Sequence, residues 1–197
     1  MKKLSAYLFL ILFSFQAPSW ADDIRDFQIE GMSIGDSLLD YFSEEEIKDN
    51  VFKTSYKSKK YTKIEFHRDN NPSKIYDGFQ FFVKKNDKKY IIHTLSAHLK
   101  YKDNIEDCFK KQNEIIEEVS TFFKNTKTIR KTLNHSADKS GKTKIYAFFF
   151  NFNSGATARI DCNEYSKEIT KKYRWIDNLR VGLMTSEFRK WLNTEAY

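Results

Sequence analysis

Apolar and polar positions alternate at two periods along this chain, and the alternation predicts most of its elements. Tyr61 to His67 alternates weakly, while Ile75 to Val83 alternates well, with Ile75, Phe79, Phe81 and Val83 on one face. Asn70-Asn71-Pro72-Ser73 is the expected turn between them. Tyr90 to Tyr101 reads as a long strand, with Ile91, Leu95, Ala97 and Leu99 pointing one way and His93 among them. Further strands are expected over Lys127 to His135, Lys144 to Phe152, Ala156 to Asn163 and near Leu179-Val181-Leu183.

The helical period appears three times. From Asn104 to Lys124, Ile105, Cys108, Gln112, Ile115, Val119 and Phe122 form one stripe, which Phe109, Ile116 and Phe123 widen. Asp103-Asn104-Ile105-Glu106 supplies a cap and its reciprocal Glu. Near the start, Ile34, Leu38 and Phe42 recur four apart, and Ser43-Glu44-Glu45-Glu46 reads as a capping box. At the end, Thr185 can cap a helix whose Phe188, Trp191 and Leu192 face inward. Together these predict an α+β domain over residues 22–197: a mostly antiparallel sheet of five to seven strands with one long helix packed on a face and short terminal helices.

The first residues follow neither period. Lys2-Lys3 precedes an apolar run of 12 residues, Leu4 to Phe15, and Ser19-Trp20-Ala21 then has the small-x-small form of a leader cleavage site. The run is short of the roughly 20 residues that span a bilayer. Residues 1–21 are therefore expected to be a signal peptide, with Asp22 opening a mature chain that does not span a membrane and lies in the periplasm or outside the cell. Loss of Lys2 and Lys3 would lower the net charge from +7 to +5. Export argues against nucleic acid as the counterpart of that charge, and leaves an envelope protein or an anionic envelope surface as the expected partner.

Two cysteines, Cys108 and Cys162, complete the composition, and an exported chain with an even count is expected to bond them. The pattern agrees. Cys162 falls on the core-facing set Ala156, Ala158, Ile160, and Cys108 on the helix stripe, so each points where the other can be.

Candidate chemistry is sparse, and no catalytic residue, metal ligand or cofactor is expected. Ser140-Gly141-Lys142-Thr143 resembles the end of a phosphate loop, but Ser136 stands where that loop needs Gly. His67, His93, His98 and His135 form no His-x-His or His-Glu-x-x-His pattern. Gly35-Asp36-Ser37-Leu38 resembles the signature of a family of esterases and lipases, which implies Ser37 as nucleophile. That family also has an apolar strand before the motif and an Asp-x-x-His near its C-terminus, and this chain has neither. One strand is apolar on both faces. Tyr146, Phe148, Phe150 and Phe152 point one way and Ile145, Ala147 and Phe149 the other, so it is either a covered central strand or the wall of an apolar site.

The stretch from Asp26 through Gly31-Met32-Ser33-Ile34-Gly35-Asp36-Ser37-Leu38 to Ser43, and that from Asp177 through Val181-Gly182-Leu183-Met184 to Phe188, resemble the two ends of small exported proteins of AT-rich marine alphaproteobacteria. The resemblance implies source and compartment and no activity. The expected function is a non-enzymatic periplasmic binding or envelope-accessory protein. The alternative is a small periplasmic hydrolase of esterase type.

Overall fold

The computed structural model describes residues 23–67, 73–102 and 104–197. The expected leader, the expected turn at Asn70-Asn71-Pro72 and the start of the expected helix cap at Asp103 lie outside the described residues. The dominant element is one open sheet of eight strands: β1 (Val51–Phe52), β2 (Tyr61–His67), β3 (Gly78–Lys84), β4 (Ile92–Lys100), β5 (Lys127–Asn134), β6 (Lys144–Asn151), β7 (Thr157–Glu164) and β8 (Asn178–Met184). Its spatial order is β1-β2-β3-β4-β8-β7-β6-β5, and every neighbouring pair is antiparallel. The chain lays down β1 to β4, crosses to the far edge, returns as a second meander, and fills the gap with β8. Four short helices accompany it: α1 (Glu44–Asp49), α2 (Ile105–Ser120), α3 (Lys167–Tyr173) and α4 (Ser186–Thr194).

This overturns the α+β expectation of a sheet carrying one long helix. Among the described residues the protein is mostly sheet, with its α-helix divided among four short segments. The physical reasons are local. The helix expected to reach Lys124 stops at Ser120, where the Thr121 amide folds back onto the Glu118 and Val119 carbonyls. It packs chiefly on β7 and β8, with Phe109 and Gln112 also reaching Tyr146 of β6. The rest of that sheet face is covered by the irregular segment from Ile24 to Phe42. There the four-residue spacing of Ile34, Leu38 and Phe42 buries all three side chains around a single 3-10 turn, Leu38–Asp40. Phe42 stacks on Phe66 at 4.1 Å and meets Phe81 edge-on at 5.9 Å.

Between these covers and the sheet lies the main core, which includes Phe79, Phe81, Leu95, Ala97, Phe150, Ile160, Val181 and Leu183. The Cys108–Cys162 disulfide ties α2 to β7 across it, with the two Cα atoms 6.0 Å apart. Gln112, one turn further along α2, is 1 % exposed and donates to the Tyr146 and Ile160 carbonyls at 2.6 and 2.9 Å. A polar residue in the apolar stripe thus satisfies two buried acceptors.

Two caps form as the sequence implies. Ser43 and Glu46 complete a reciprocal capping box on α1, and Thr185 accepts from the Phe188 amide to start α4. On α2 the reciprocal partner of the Asn104 cap is Asp107 rather than Glu106. Two expected facings change. Ile75 precedes β3 and is 45 % exposed. A register shift against Phe82/Val83 sets Ile92, not Ile91, into the core and turns His93 away from it.

Candidate functional site

The opposite face of the sheet is built from the residues that alternate with the core set, and at its centre they are polar. Strand register lines them up. Glu65, Gln80, Ser96, Gly182, Arg159 and Phe149 are successive cross-strand neighbours from β2 to β6. The next row runs Gly78, His98, Arg180, Asp161, Ala147. A Cβ on Gly182 would lie 2.8 Å from the Ser96 Oγ, so a larger residue in the middle of the first row would force the Ser96 hydroxyl to move.

Asp161 is the electrostatic centre, with no exposed surface. Its Oδ1 accepts from Arg159 Nε at 2.6 Å, and its Oδ2 accepts from Arg180 Nε and Nη2 at 3.1 and 2.7 Å. Arg159 is also held from the other side, its guanidinium lying 5.1 Å from the centre of the Phe149 ring. Its Nη2 is buried and has no hydrogen-bond partner. The charge of Arg180 is felt across the face, at Tyr56, His98, His135, Arg159 and Tyr165. Burial and then Arg180 push the His98 ring down to about 3, so it is neutral at ordinary pH, and its Nε2 is likewise buried without a partner.

Glu65 anchors a second cluster on the same face. It accepts from Gln80 at 2.6 Å, pairs with Lys63, and lies 3.3 Å from His67 Nε2. Burial pushes its carboxyl up, but the His67 hydrogen bond and the Lys63 charge together prevail and hold it at about 2. Aromatic groups bound this polar field. Tyr61, Phe82, Phe188 and Trp191 form a small second core under α4, with Tyr56 against it and the Trp191 indole donating to Ser58 at 2.8 Å. Tyr165, Trp175 and His135 cluster with ring centres 5.2 to 5.8 Å apart.

The residues singled out from the sequence lie elsewhere. Cys108 and Cys162 are brought together as the disulfide. Tyr146, Phe148, Phe150 and Phe152 sit on the core side. Tyr146 meets Phe109 of α2 edge-on at 4.9 Å, Phe148 lies 5.0 Å from Phe150, and Phe150 and Phe152 pack on Phe123 at 5.5 and 4.8 Å. Ser37 donates to the Lys89 carbonyl at 2.6 Å and accepts from the Leu39 amide at 3.1 Å, a turn cap with no histidine beside it. Ser140 and Thr143 wrap Asp138, whose carboxylate accepts from both their amides and both their hydroxyls at 2.6 to 2.9 Å. That loop binds its own carboxylate.

His93 stands 3.9 Å from a Glu187 oxygen and 3.5 Å from the Thr185 hydroxyl. Glu187 is already paired with Lys60 and Lys84 at 3.3 and 2.9 Å, and the Thr185 hydroxyl caps α4. Burial, followed by Lys84, lowers the basicity of His93. Among the described residues no group of three or more His, Cys, Asp or Glu side chains could hold a metal ion.

Arg159, Asp161, Arg180 and His98 were missed by sequence reasoning that followed the apolar set of each strand. Their signal was in the alternate set, where Arg159-x-Asp161 and Arg180 interrupt the most buried strands with charge. No family model, curated protein or solved structure matches this chain.

Proposed function

We propose that this is an exported, non-enzymatic binding protein whose ligand surface is the polar face of its sheet. Two guanidiniums facing one carboxylate leave one positive charge in excess there. The observation that carries the reading is Arg159 Nη2. A guanidinium fixed by Asp161 and Phe149 presents a buried donor with nothing to donate to. Buried polar groups in folded proteins are almost always satisfied, so an orphan of this kind points to an acceptor from outside the chain. The disulfide supports an oxidising compartment, and no helix among the described residues is long and apolar enough to cross a membrane.

The test is a nitrogen-labelled chain beginning at Asp22, screened by NMR against mixtures of small anionic, neutral and cationic compounds. Shifts confined to β4, β7 and β8 are expected from the anionic mixtures. A face that responds to no mixture overturns the reading. Cell fractionation with N-terminal sequencing tests export: intact Met1 in a cytosolic fraction overturns that part.

A further inference from the structure

We infer that Arg159 and Arg180 form a subsite for the carboxylate of a small organic acid, with His98 Nε2 as a second polar contact for a hydroxyl on the same molecule. This rests on the binding reading above and names its ligand class.

Geometry leaves one fixed donor for an incoming oxygen, and charge then selects a carboxylate. Arg159 spends its Nε on Asp161 Oδ1, while Arg180 takes Oδ2 with both Nε and Nη2. Nε and Nη2 lie on the same edge of a guanidinium, and that edge matches a planar pair of carboxylate oxygens. Arg159 therefore keeps Nη2 as a single unused donor, a one-point contact for an oxygen of the ligand. The neighbouring positions are small. Gly182 lies between Ser96 and Arg159, and Ala147 lies beside Asp161.

Charge selects a single negative charge. The trio sums to +1, and Asp161 is fully buried at its centre. A monoanion neutralises the surplus. A phosphate dianion would set a second negative charge against the buried Asp161 carboxylate, where low polarity strengthens the repulsion. His98 neighbours Arg180 across the β4–β8 pair and contributes a hydrogen bond without a charge.

Titration of the intact oxidised chain with propionate, lactate and inorganic phosphate, followed at the arginine side-chain NMR signals, tests this. Propionate and lactate should both move the Arg159 and Arg180 signals, lactate at lower concentration. Arg159→Gln should weaken both by at least about tenfold, as loss of a charge-assisted hydrogen bond implies. Arg159→Lys keeps the charge but loses the donor fixed at the Nη2 position, and should weaken both as well. Both variants leave Arg180 on Asp161, and an unchanged near-UV spectrum reports that they fold. Arginine signals that ignore both carboxylates overturn the subsite, as do variants that bind like the parent. Equal affinity for lactate and propionate strikes His98 from it. Phosphate binding in place of the carboxylates overturns the ligand class and leaves the binding-surface reading standing.

Discussion

Arg180 grips one oxygen of Asp161 with two donors, at 3.1 and 2.7 Å, across a strand pair whose members lie 19 residues apart in the chain. Asp161 has no exposed surface, so its charge is tolerable because guanidiniums meet it, Arg180 with two donors and Arg159 with one. Asp161→Asn should therefore destabilise the fold by about 3–5 kcal/mol, by leaving two guanidiniums facing each other. Arg159→Gln should cost clearly less, because Arg180 still satisfies the carboxylate. Urea midpoints of the two variants check the order, and equal losses contradict it.

The disulfide closes a span of 54 residues between α2 and β7. Reduction should lower stability by about 4 kcal/mol, as the chain-entropy model gives for a loop of this length. Denaturation curves with and without reductant measure it. Two free thiols in oxidised, denatured protein would remove the bond itself.

Acidification should weaken the fold in two stages. Burial keeps His98 neutral down to about 3, below its ordinary 6.5. The unfolded chain therefore takes up a proton first, and the stabilisation from a neutral His98 erodes as pH falls below about 6.5. Glu65 is held at about 2 against its ordinary 4.5. Its contribution is complete above about 4.5 and is lost as pH falls toward 2. Melting temperatures from pH 7 to pH 3 should fall throughout. Glu65→Gln should flatten only the part below about 4.5, and a flattening above it would contradict the assignment.

Ser37→Ala should cost about 1 kcal/mol, the worth of a lost turn cap, and remove no activity. Its hydroxyl is committed to Lys89 and Leu39 and has no base beside it. Short- and long-chain activated esters are the substrates to try. Turnover that vanishes in a folded Ser37→Ala protein would restore the esterase alternative.

Local pattern determined a good deal. The facing of Cys108 and Cys162 was legible because a helix stripe and a strand alternation each fix direction within a few residues. The Ser43–Glu46 box and the Thr185 cap were legible because their partners are three residues away. Most strand limits came within two residues for the same reason. Tertiary structure decided the rest. The bulge at His93 changes which side chains face the core before Thr94, setting Ile92 there in place of Ile91, and no local signal marks it. The irregular cover from Ile24 to Phe42 has helical spacing without a helix, because the sheet beneath it, not its own backbone, holds Ile34, Leu38 and Phe42 in place. Above all, β8 enters between β4 and β7. That single long-range pairing sets Arg180 beside Asp161 and opposite His98, and sets Gly182 between Ser96 and Arg159. Periodicity tells each residue which face it occupies, but which strands become neighbours depends on contacts among segments that the chain brings together only on folding.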